Sequence, residues 1–397
     1  MAAKRCWSLV FRRYVPRLRS GFRRSLEVVR ARKARFGIVG GLVSLGTAFQ
    51  TYSIAYAEEV SNAKKNSNPL VSRFEKFASE TSADGKVAIM NTAGLIKSLA
   101  PDGWKDARDL DPNELKQLDL VLSKFVPSES NSLAVGLRSE HFCMIHCLLT
   151  VAPMDYSLTF RIADRSASGT ISECQFLDML MHILPPSVDR YGFDLEASGH
   201  LPIFGKNGDK ELSFKDFEQH LSDLRQAVNT ACFNTIDENK DGSVSALEFG
   251  RYVLSFGPRN RLTDFEMGLA KNRDKKKVMS SILVDLESYL QYQQMHDSHE
   301  HIEQAIRIFN KARKPFSLPE FSHLIKGVVG INFTDQMLNA LFTIFDTNND
   351  GTLDSDELSH VLYSAKTRGV FEDKSYLRKV YDCSTGCFYS EIGYRFM

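Results

Sequence analysis

Two segments of twelve residues carry oxygen-bearing side chains at a spacing that suits the binding of a hard cation. They run from Asp237 to Glu248 and from Asp346 to Glu357. Each has an Asp, Asn or Glu at positions 1, 3, 5 and 12 and a glycine at position 6. This is the spacing of an EF-hand calcium loop, because the glycine permits a left-handed turn around the ion and the last residue gives both carboxylate oxygens.

The candidate ligands follow from these positions. In such a loop the seventh residue contributes its backbone carbonyl, and the ninth, here Ser245 or Asp354, lies close to the ion. We expect one Ca²⁺ per segment, held by these residues: Asp237, Asn239, Asp241, Ser243 and Glu248 in the first, and Asp346, Asn348, Asp350, Thr352 and Glu357 in the second. Calcium is favoured over magnesium because a bidentate Glu suits seven oxygens better than a strict octahedron. The second loop has four carboxylates and the first has three, which predicts tighter binding in the second.

The chain contains an internal repeat, which is a pair of apolar residues five positions apart, the first of them at position 8 of a loop. Its six members are Ile171/Phe176, Leu212/Phe217, Val244/Phe249, Val278/Leu283, Phe316/Phe321 and Leu353/Leu358. Apolar residues at helical spacing flank the two intact loops. We therefore predict an all-α fold of serial EF-hand helix–loop–helix pairs in two lobes, with a small amino-terminal domain and a C-terminal helix.

Only two of these six units keep a full ligand set. The loop at 164–175 keeps Asp164 and Gly169, but it has Gln175 at position 12 and Arg165 at position 2, so it is interpreted as a decayed site. The loops that start at 205 and 309 lack an acidic first residue and are interpreted as structural partners. EF-hand loops associate in pairs through position 8, so the loop at 309 is expected to support the loop at 346. The sequence leaves open whether the loop at 237 pairs with 205 or 271.

Charge is distributed unevenly along the 397 residues, although the net charge is only +1. Residues 1–35 contain twelve Lys or Arg and one acidic residue, and the remainder contains 38 basic and 48 acidic residues. The Arg-rich leader is typical of a mitochondrial transit peptide. The acidic body argues against a nucleic-acid partner and permits cation binding.

An apolar segment without charges, residues 36–57, follows this leader and is long enough to cross a bilayer. It is interpreted as a membrane anchor or a stop-transfer segment that is cut near Ala57. Either outcome places the acidic body outside the mitochondrial matrix. The alternative is that everything up to residue 57 is removed and the body lies in the matrix.

Composition and pattern divide the chain into seven segments. The predicted segments are a presequence at 1–35, the apolar segment at 36–57, a linker at 58–70, an amino-terminal domain at 71–135, an EF-hand lobe with degraded loops at 136–230, an EF-hand lobe with both intact loops at 231–365, and a C-terminal helix and tail at 366–397.

Other chemistry has little support in the sequence. The phosphate-loop, dinucleotide-binding, zinc-protease and serine-hydrolase motifs are absent from it, so we do not expect an enzyme. A group of His and Cys lacks a second ligand pair at zinc-finger spacing, so core packing is predicted for its members, His141, Cys143, His146 and Cys147. Cys174 and Cys232 stand among apolar residues and are also predicted to be core residues. The run at 275–277 of three lysines is interpreted as a solvated turn.

The body resembles the mitochondrial calcium uptake family, the EF-hand regulators of the calcium uniporter in the intermembrane space. The resemblance rests on motifs in a fixed order: RFEKFASE at 73–80, NTAGLIKSLAP at 91–101, GLRSEHFCMIHCLLTVAP at 136–153, IFGKNGDKELSFKDFEQHLSDLRQAV at 203–228, and Arg368-Gly369 after the last loop. One feature departs from the family pattern of an intact early loop and an intact late loop. Here the early loop at 164–175 is degraded and the middle loop at 237–248 is intact.

The resemblance implies a gatekeeper of the inner-membrane calcium uniporter that lies in the intermembrane space at the inner-membrane surface. It implies contact with the pore subunit, for which Lys366 and Arg368 are candidates. It also implies a homodimer, or a heterodimer with a family paralogue, linked by a disulfide at Cys383. An internal Cys383–Cys387 bridge and free thiols are alternatives to that link. The alternative function is a regulatory subunit of an enzyme or of another non-channel partner.

Overall fold

The computed structural model describes residues 69–81, 88–101, 104, 108–127, 135–183, 199–312, 314–354, 357–358, 361–362 and 365. The predicted presequence, apolar segment, most of the linker, and the C-terminal helix and tail lie outside these residues. Lys366, Arg368, Cys383 and Cys387 therefore lie outside them too.

Helices dominate the described ranges, which confirms the predicted all-α class. Their bounds are α1 Pro69–Phe77, α2 Thr92–Leu99, α3 Pro112–Leu122, α4 Ser139–Thr150, α5 Tyr156–Ala163, α6 Glu173–Ile183, α7 Phe214–Ile236, α8 Ala246–Leu254, α9 Arg259–Lys271, α10 Arg273–Ser281, α11 Leu286–Asp297, α12 His299–Lys311, α13 Leu318–Leu324 and α14 Asp335–Phe345. The strands are short: β1 Glu80–Thr81, β2 Ala88–Ile89, β3 Thr170–Ile171, β4 Leu212–Ser213, β5 Ser243–Ser245 and β6 Leu283–Asp285.

Side-chain caps fix the residues at which several of these helices begin. The Ser213 hydroxyl accepts a hydrogen bond from the Asp216 amide at 3.2 Å and starts α7. Ser245 does the same for α8, and Thr334 does so for α14. These caps satisfy amides that have no partner within the helix, so each loop ends at a defined residue.

The described loops associate in three pairs through their eighth residues, and two of these pairs form short antiparallel strands. Ile171 lies opposite Leu212 in the β3–β4 pair, and Val244 lies opposite Val284 in the β5–β6 pair. In the third pair the Leu353 amide donates to the Phe316 carbonyl at 2.8 Å. The predicted pairing of the loops at 309 and 346 is therefore confirmed. The loop at 237 pairs with the segment at 283–285, and the loop at 205 pairs with the decayed loop at 164.

The fourth unit of the repeat lies six residues later than the sequence predicts. Val278 is 56% exposed and Leu283 is 65% exposed, whereas Val284 and Tyr289 are fully buried. The prediction of Val278/Leu283 is therefore wrong, and Val284/Tyr289 is the repeat member. The reason is that residues 273–281 form helix α10, in which the Asn272 side chain accepts a hydrogen bond from the Lys275 amide at 3.0 Å. The lysines at 275–277 consequently lie in a helix and not in a solvated turn.

Helix α7 joins two loop pairs without interruption, since it follows the loop at 205 and precedes the loop at 237. The boundary predicted between residues 230 and 231 falls inside this helix. Helix α3 packs along α7 and attaches the amino-terminal helices to it. Among the described helices, none alone is long and apolar enough to cross a membrane; α4 and the segment Pro153–Ala163 meet that test only together, with a bend of 94°.

The cysteines do not all lie in the core. Cys143, Cys147 and Cys232 are buried, as predicted. Cys174 is exposed, so the prediction for it is wrong. It lies in the first turn of α6, whose inward face is formed by other residues, namely Phe176, Met179 and Leu180.

The position of the fourth repeat unit predicts that the same substitution has a large effect on stability at one valine and a small effect at another. Val284→Ala removes two methyl-sized groups from a fully buried position and should destabilise the protein by about 2 kcal/mol. Val278→Ala, the matched control on an exposed helix position, should change stability by less than about 0.5 kcal/mol. Urea unfolding measures both. Equal effects at the two valines would contradict the observed register.

Candidate calcium sites

The first residue of each intact loop is held at the end of the preceding helix. The Asp237 amide donates to the Phe233 carbonyl at 3.1 Å, and the Asp346 amide donates to the Phe342 carbonyl at 2.8 Å. These are the last helical hydrogen bonds of α7 and α14. Each helix therefore places one buried carboxylate at the start of its loop.

Both loops curl back on that carboxylate through a left-handed backbone. The fourth and sixth residues have positive φ, with values of 59° at Lys240 and Asn349 and 80° at Gly242 and Gly351. The glycine amide donates to Oδ2 of the first Asp, at 2.9 Å in the first loop and 3.2 Å in the second. The glycine at position 6 is thus required by conformation, as the spacing predicts.

The side chains at positions 3 and 5 lie beside each other in both loops. The side-chain amide of Asn239 donates to Asp241 Oδ2 at 2.9 Å, and the side-chain amide of Asn348 donates to Asp350 Oδ2 at 3.0 Å. Hydrogen bonds from Ser243 lower the pKa of Asp241, and those from Thr352 lower the pKa of Asp350. These two carboxylates are therefore ionised at neutral pH.

The glutamate at position 12 caps its own helix in each loop. Glu248 Oε2 accepts from the Ser245 hydroxyl at 2.8 Å, and Glu357 Oε2 accepts from the Asp354 amide at 3.1 Å. Glu248 is exposed, whereas Glu357 is 2% exposed, and burial raises the pKa of Glu357. In the described part of the chain, no three His, Cys, Asp or Glu side chains converge as a ready-made metal cluster. The structure thus brings the side chains at positions 3 and 5 together, places position 1 against the glycine amide at position 6, and leaves position 12 turned toward position 9.

The donor set nevertheless fits calcium. Asp237 Oδ1 is buried, and no described residue donates a hydrogen bond to it. All predicted ligands offer hard oxygen atoms, which calcium prefers and binds in a flexible geometry of six to eight ligands. When bound, the ion would supply the charge that offsets these carboxylates. The ten ligand residues themselves stay a prediction.

The decayed loop keeps the same backbone. The Gly169 amide donates to Asp164 Oδ2 at 2.8 Å, and Ala167 and Gly169 have φ of 53° and 81°. The Gln175 side-chain oxygen Oε1 accepts a hydrogen bond from the Ser172 backbone amide at 2.9 Å, as the carboxylates of Glu248 and Glu357 do from position 9. The decayed loop therefore differs from the intact loops in its carboxylates and not in its fold.

Basic residues from distant segments contact both intact loops. Arg108 Nε donates to the Asp237 carbonyl at 2.8 Å, and Lys240 pairs with Asp111 at 2.8 Å. Arg261 Nη1 lies 3.7 Å from Glu357 Oε1, and the Lys275 ammonium donates to Asn349 Oδ1. These contacts join residues far apart in the sequence, so spacing gives no signal for them.

The group of His and Cys on α4 does not form a metal site among the described residues. All four side chains are buried: His141, Cys143, His146 and Cys147. Burial lowers the pKa of His141 to about 4 and raises the pKa of Cys143 to about 12. His141 is consequently neutral at pH 7, with Nδ1 accepting from the Arg138 amide at 3.4 Å.

Fold and site together define an EF-hand calcium-binding protein. A family model described as EF hand matches residues 229–254 and 338–362, which contain the two intact loops.

Among the relatives that the chain resembles are mitochondrial calcium uptake proteins. The mitochondrial calcium uptake protein of Arabidopsis thaliana is 23% identical over 161 residues, which cover 41% of this chain and 32% of that protein. Mitochondrial calcium uptake protein 2 of Mus musculus is 26% identical over 173 residues, covering 43% of this chain and 38% of the relative. These matches span about a third of each relative's length.

The fold comparison extends over more of the chain. An apo structure of the mitochondrial calcium uniporter protein MICU2 superposes with a TM-score of 0.58 at 18% identity, covering 83% of this chain and 98% of that structure. This structure shares the fold of the chain, and the sequence matches together with the EF-hand model confirm the resemblance to the mitochondrial calcium uptake family.

The neutral, buried His141 predicts a loss of stability in acid. Its pKa is about 4 when folded and near 6.5 when unfolded, so the unfolded chain binds the proton first as the pH falls below 6.5. Between pH 7 and pH 5 this group should cost the native state about 2 kcal/mol. His141→Leu should remove that component from urea unfolding curves recorded at the two pH values.

The control is His301→Leu, which changes an exposed histidine on α12. The loss of stability that His141 causes between pH 7 and pH 5 should persist in this variant. The account fails if His141→Leu and the parent lose equal stability between pH 7 and pH 5.

Proposed function

We propose that this chain is a calcium-sensing regulator, a gatekeeper, of the mitochondrial inner-membrane calcium uniporter that binds calcium through two EF-hands. The observation that carries the proposal is the presence of two complete EF-hand loops in a chain with the fold of MICU2. A sensor suits the chain better than a buffer, because two sites in a chain of 397 residues give little binding capacity.

The residues of the loops suggest how such a sensor changes state. Glu248 lies in the first turn of α8, and Glu357 lies at the same position after the second loop. A change in what these carboxylates contact therefore moves the helices that follow the loops. Changing the ratio of two states from 1:99 to 99:1 needs about 5.5 kcal/mol of differential binding. Two sites that each favour one state by about 2.7 kcal/mol supply it.

We further propose that the protein lies in the intermembrane space at the inner-membrane surface, where it contacts the pore subunit. Support comes from the cationic leader and the apolar segment that follows it. The names of the relatives, which are mitochondrial calcium uptake proteins, support the same location. A homodimer or a heterodimer with a paralogue, linked at Cys383, belongs to the same proposal.

Calorimetry on the full-length chain tests the proposed ligands. We expect two calcium ions per chain, and one after either Glu248→Gln or Glu357→Gln, since each change removes the bidentate carboxylate from one loop. The matched control is Glu320→Gln, which alters the twelfth residue of the loop at 309. The Glu320 carboxylate accepts a hydrogen bond from the Ser317 amide, as Glu357 does from the Asp354 amide. Glu320 is not a proposed ligand, so the variant should still bind two ions. Three ions in the parent would show that the decayed loop binds calcium.

Calcium uptake by mitochondria tests the function itself. Mitochondria that carry the protein should take up less calcium at low external calcium than mitochondria that lack it, and the two should converge at high calcium. The double variant Glu248→Gln/Glu357→Gln should restrict uptake at both concentrations, because its loops cannot respond.

Partner isolation separates this proposal from the alternative of an enzyme's regulatory subunit. Co-purification with uniporter pore subunits supports the gatekeeper. Uptake that is unaffected by the protein at every calcium concentration, with recovery of an enzyme in its place, would overturn the gatekeeper proposal.

A further inference from the structure

The second calcium loop faces two cations that belong to the helices of the fourth repeat unit. Arg261 on α9 lies with Nη1 3.7 Å from Glu357 Oε1 and donates to the Thr347 hydroxyl at 2.9 Å. Lys275 on α10 reaches the side-chain oxygen of Asn349 in the same loop. The contacts cross 86 and 74 residues of sequence. They are therefore set by the packing of the fourth unit against the sixth.

The two intact loops differ in how the nearby arginine is neutralised. Beside the first loop, Arg108 forms an ion pair with Glu114 at 2.7 Å, a carboxylate outside the ligand set. Beside the second loop, Glu357 is the only carboxylate among the described residues that pairs with Arg261. The counter-ion of Arg261 is thus a proposed calcium ligand.

Burial of this ion pair strengthens the electrostatic interaction of Arg261 with Glu357. The Glu357 side chain is 1% exposed and that of Arg261 is 19% exposed, so water screens their interaction poorly. A buried carboxylate without a partner is costly, and the guanidinium offsets that cost in the absence of a metal ion. The same positive charge opposes a divalent cation at the same carboxylate. A guanidinium stays charged at every physiological pH, so the effect is permanent.

We propose that Arg261 lowers the calcium affinity of the loop at 346 by competing with the ion for Glu357. The inference rests on the proposed ligand role of Glu357. It bears on the expectation that four carboxylates make this loop the tighter site, because Arg261 counteracts the extra negative charge of Asp354. Arg261 is a positioning residue in this sense, since it acts on the ion through Glu357.

The test is calorimetry on the full-length chain carrying Glu248→Gln, in which only the second loop is expected to bind calcium. Adding Arg261→Gln should tighten calcium binding by about tenfold, because a unit charge close to a divalent ion is removed. Adding Arg261→Lys, which keeps the charge, should leave the affinity within about threefold of the background.

The matched control for net charge is Lys124→Gln, which also removes one positive charge. Lys124 pairs with Asp223 on α7, and among the described residues its side chain makes no contact with the loop at 346, so calcium affinity should not change.

A second measurement does not depend on calorimetry. Arg261→Gln leaves Glu357 buried without a counter-ion, so the metal-free variant should melt at a lower temperature than its background. Added calcium should then raise its Tm by more than it raises that of the background, because tighter binding stabilises the native state more. A residue with a purely structural role would lower both melting temperatures alike.

The outcomes separate the two levels of the argument. If the Glu248→Gln chain binds no calcium, the proposed ligands of the second loop are wrong and the role of Arg261 falls with them. If that chain binds one ion but Arg261→Gln leaves the affinity unchanged or weakens it, the ligands stand and the inference about Arg261 is overturned. A gain of affinity in Arg261→Lys equal to that in Arg261→Gln would also overturn it, because Arg261→Lys keeps the charge.

Discussion

The arrangement of the body depends on the need of each EF-hand loop to bury its eighth residue against another loop. A two-residue strand is too short to be stable alone, so it forms only as half of a pair. The described pairs are Ile171 with Leu212, Val244 with Val284, and Phe316 with Leu353. Each intact loop is paired with a loop that lacks ligands. These two partner loops, at 283–285 and at 309, are consequently needed for the shape of the sites although they hold none of the proposed ligands.

The two intact loops belong to different pairs, yet their helices are in direct contact. Helix α8 leaves the first loop and packs on α14, which leads into the second. A Cβ atom on Gly250 would lie 2.9 Å from Ile344 and 3.1 Å from Phe265, so only glycine fits at this crossing. An ion pair of Arg251 with Glu266 ties α8 to α9, the helix that also carries Arg261. The packing of α8 on α14 therefore connects the two intact loops physically.

Sequence spacing predicts the intact loops well because their ligands lie within twelve residues of each other. The pairing of the loop at 309 with the loop at 346 can also be predicted from the sequence, since Phe316 and Leu353 occupy position 8 in adjacent units. The position of the fourth unit cannot be predicted in this way. Its loop has no set of ligand residues and no glycine at position 6, and its apolar residues fit two registers of the repeat. Val278 and Val284 differ only in that α10 exposes the first and β6 buries the second.

The basic residues that contact the loops could not be predicted from the spacing of residues in the sequence. Arg108 and Arg261 reach their loops across large separations in sequence, and packing between units decides where they lie. The decayed loop has the same backbone geometry as the intact loops, with the Gly169 amide bonded to Asp164. The fold alone therefore does not distinguish a loop with a full ligand set from one without. The side-chain chemistry at positions 3, 5 and 12 makes that distinction.

The most direct test of this account is the anomalous diffraction of crystals of the protein grown with calcium. The account predicts two peaks per chain, one in the loop that begins at Asp237 and one in the loop that begins at Asp346. Glu248 or Glu357 should supply two oxygens to its ion, at about 2.3–2.6 Å. A peak in the loop at 164–175, or an empty loop at 237 or 346 in calcium-saturated crystals, would contradict it.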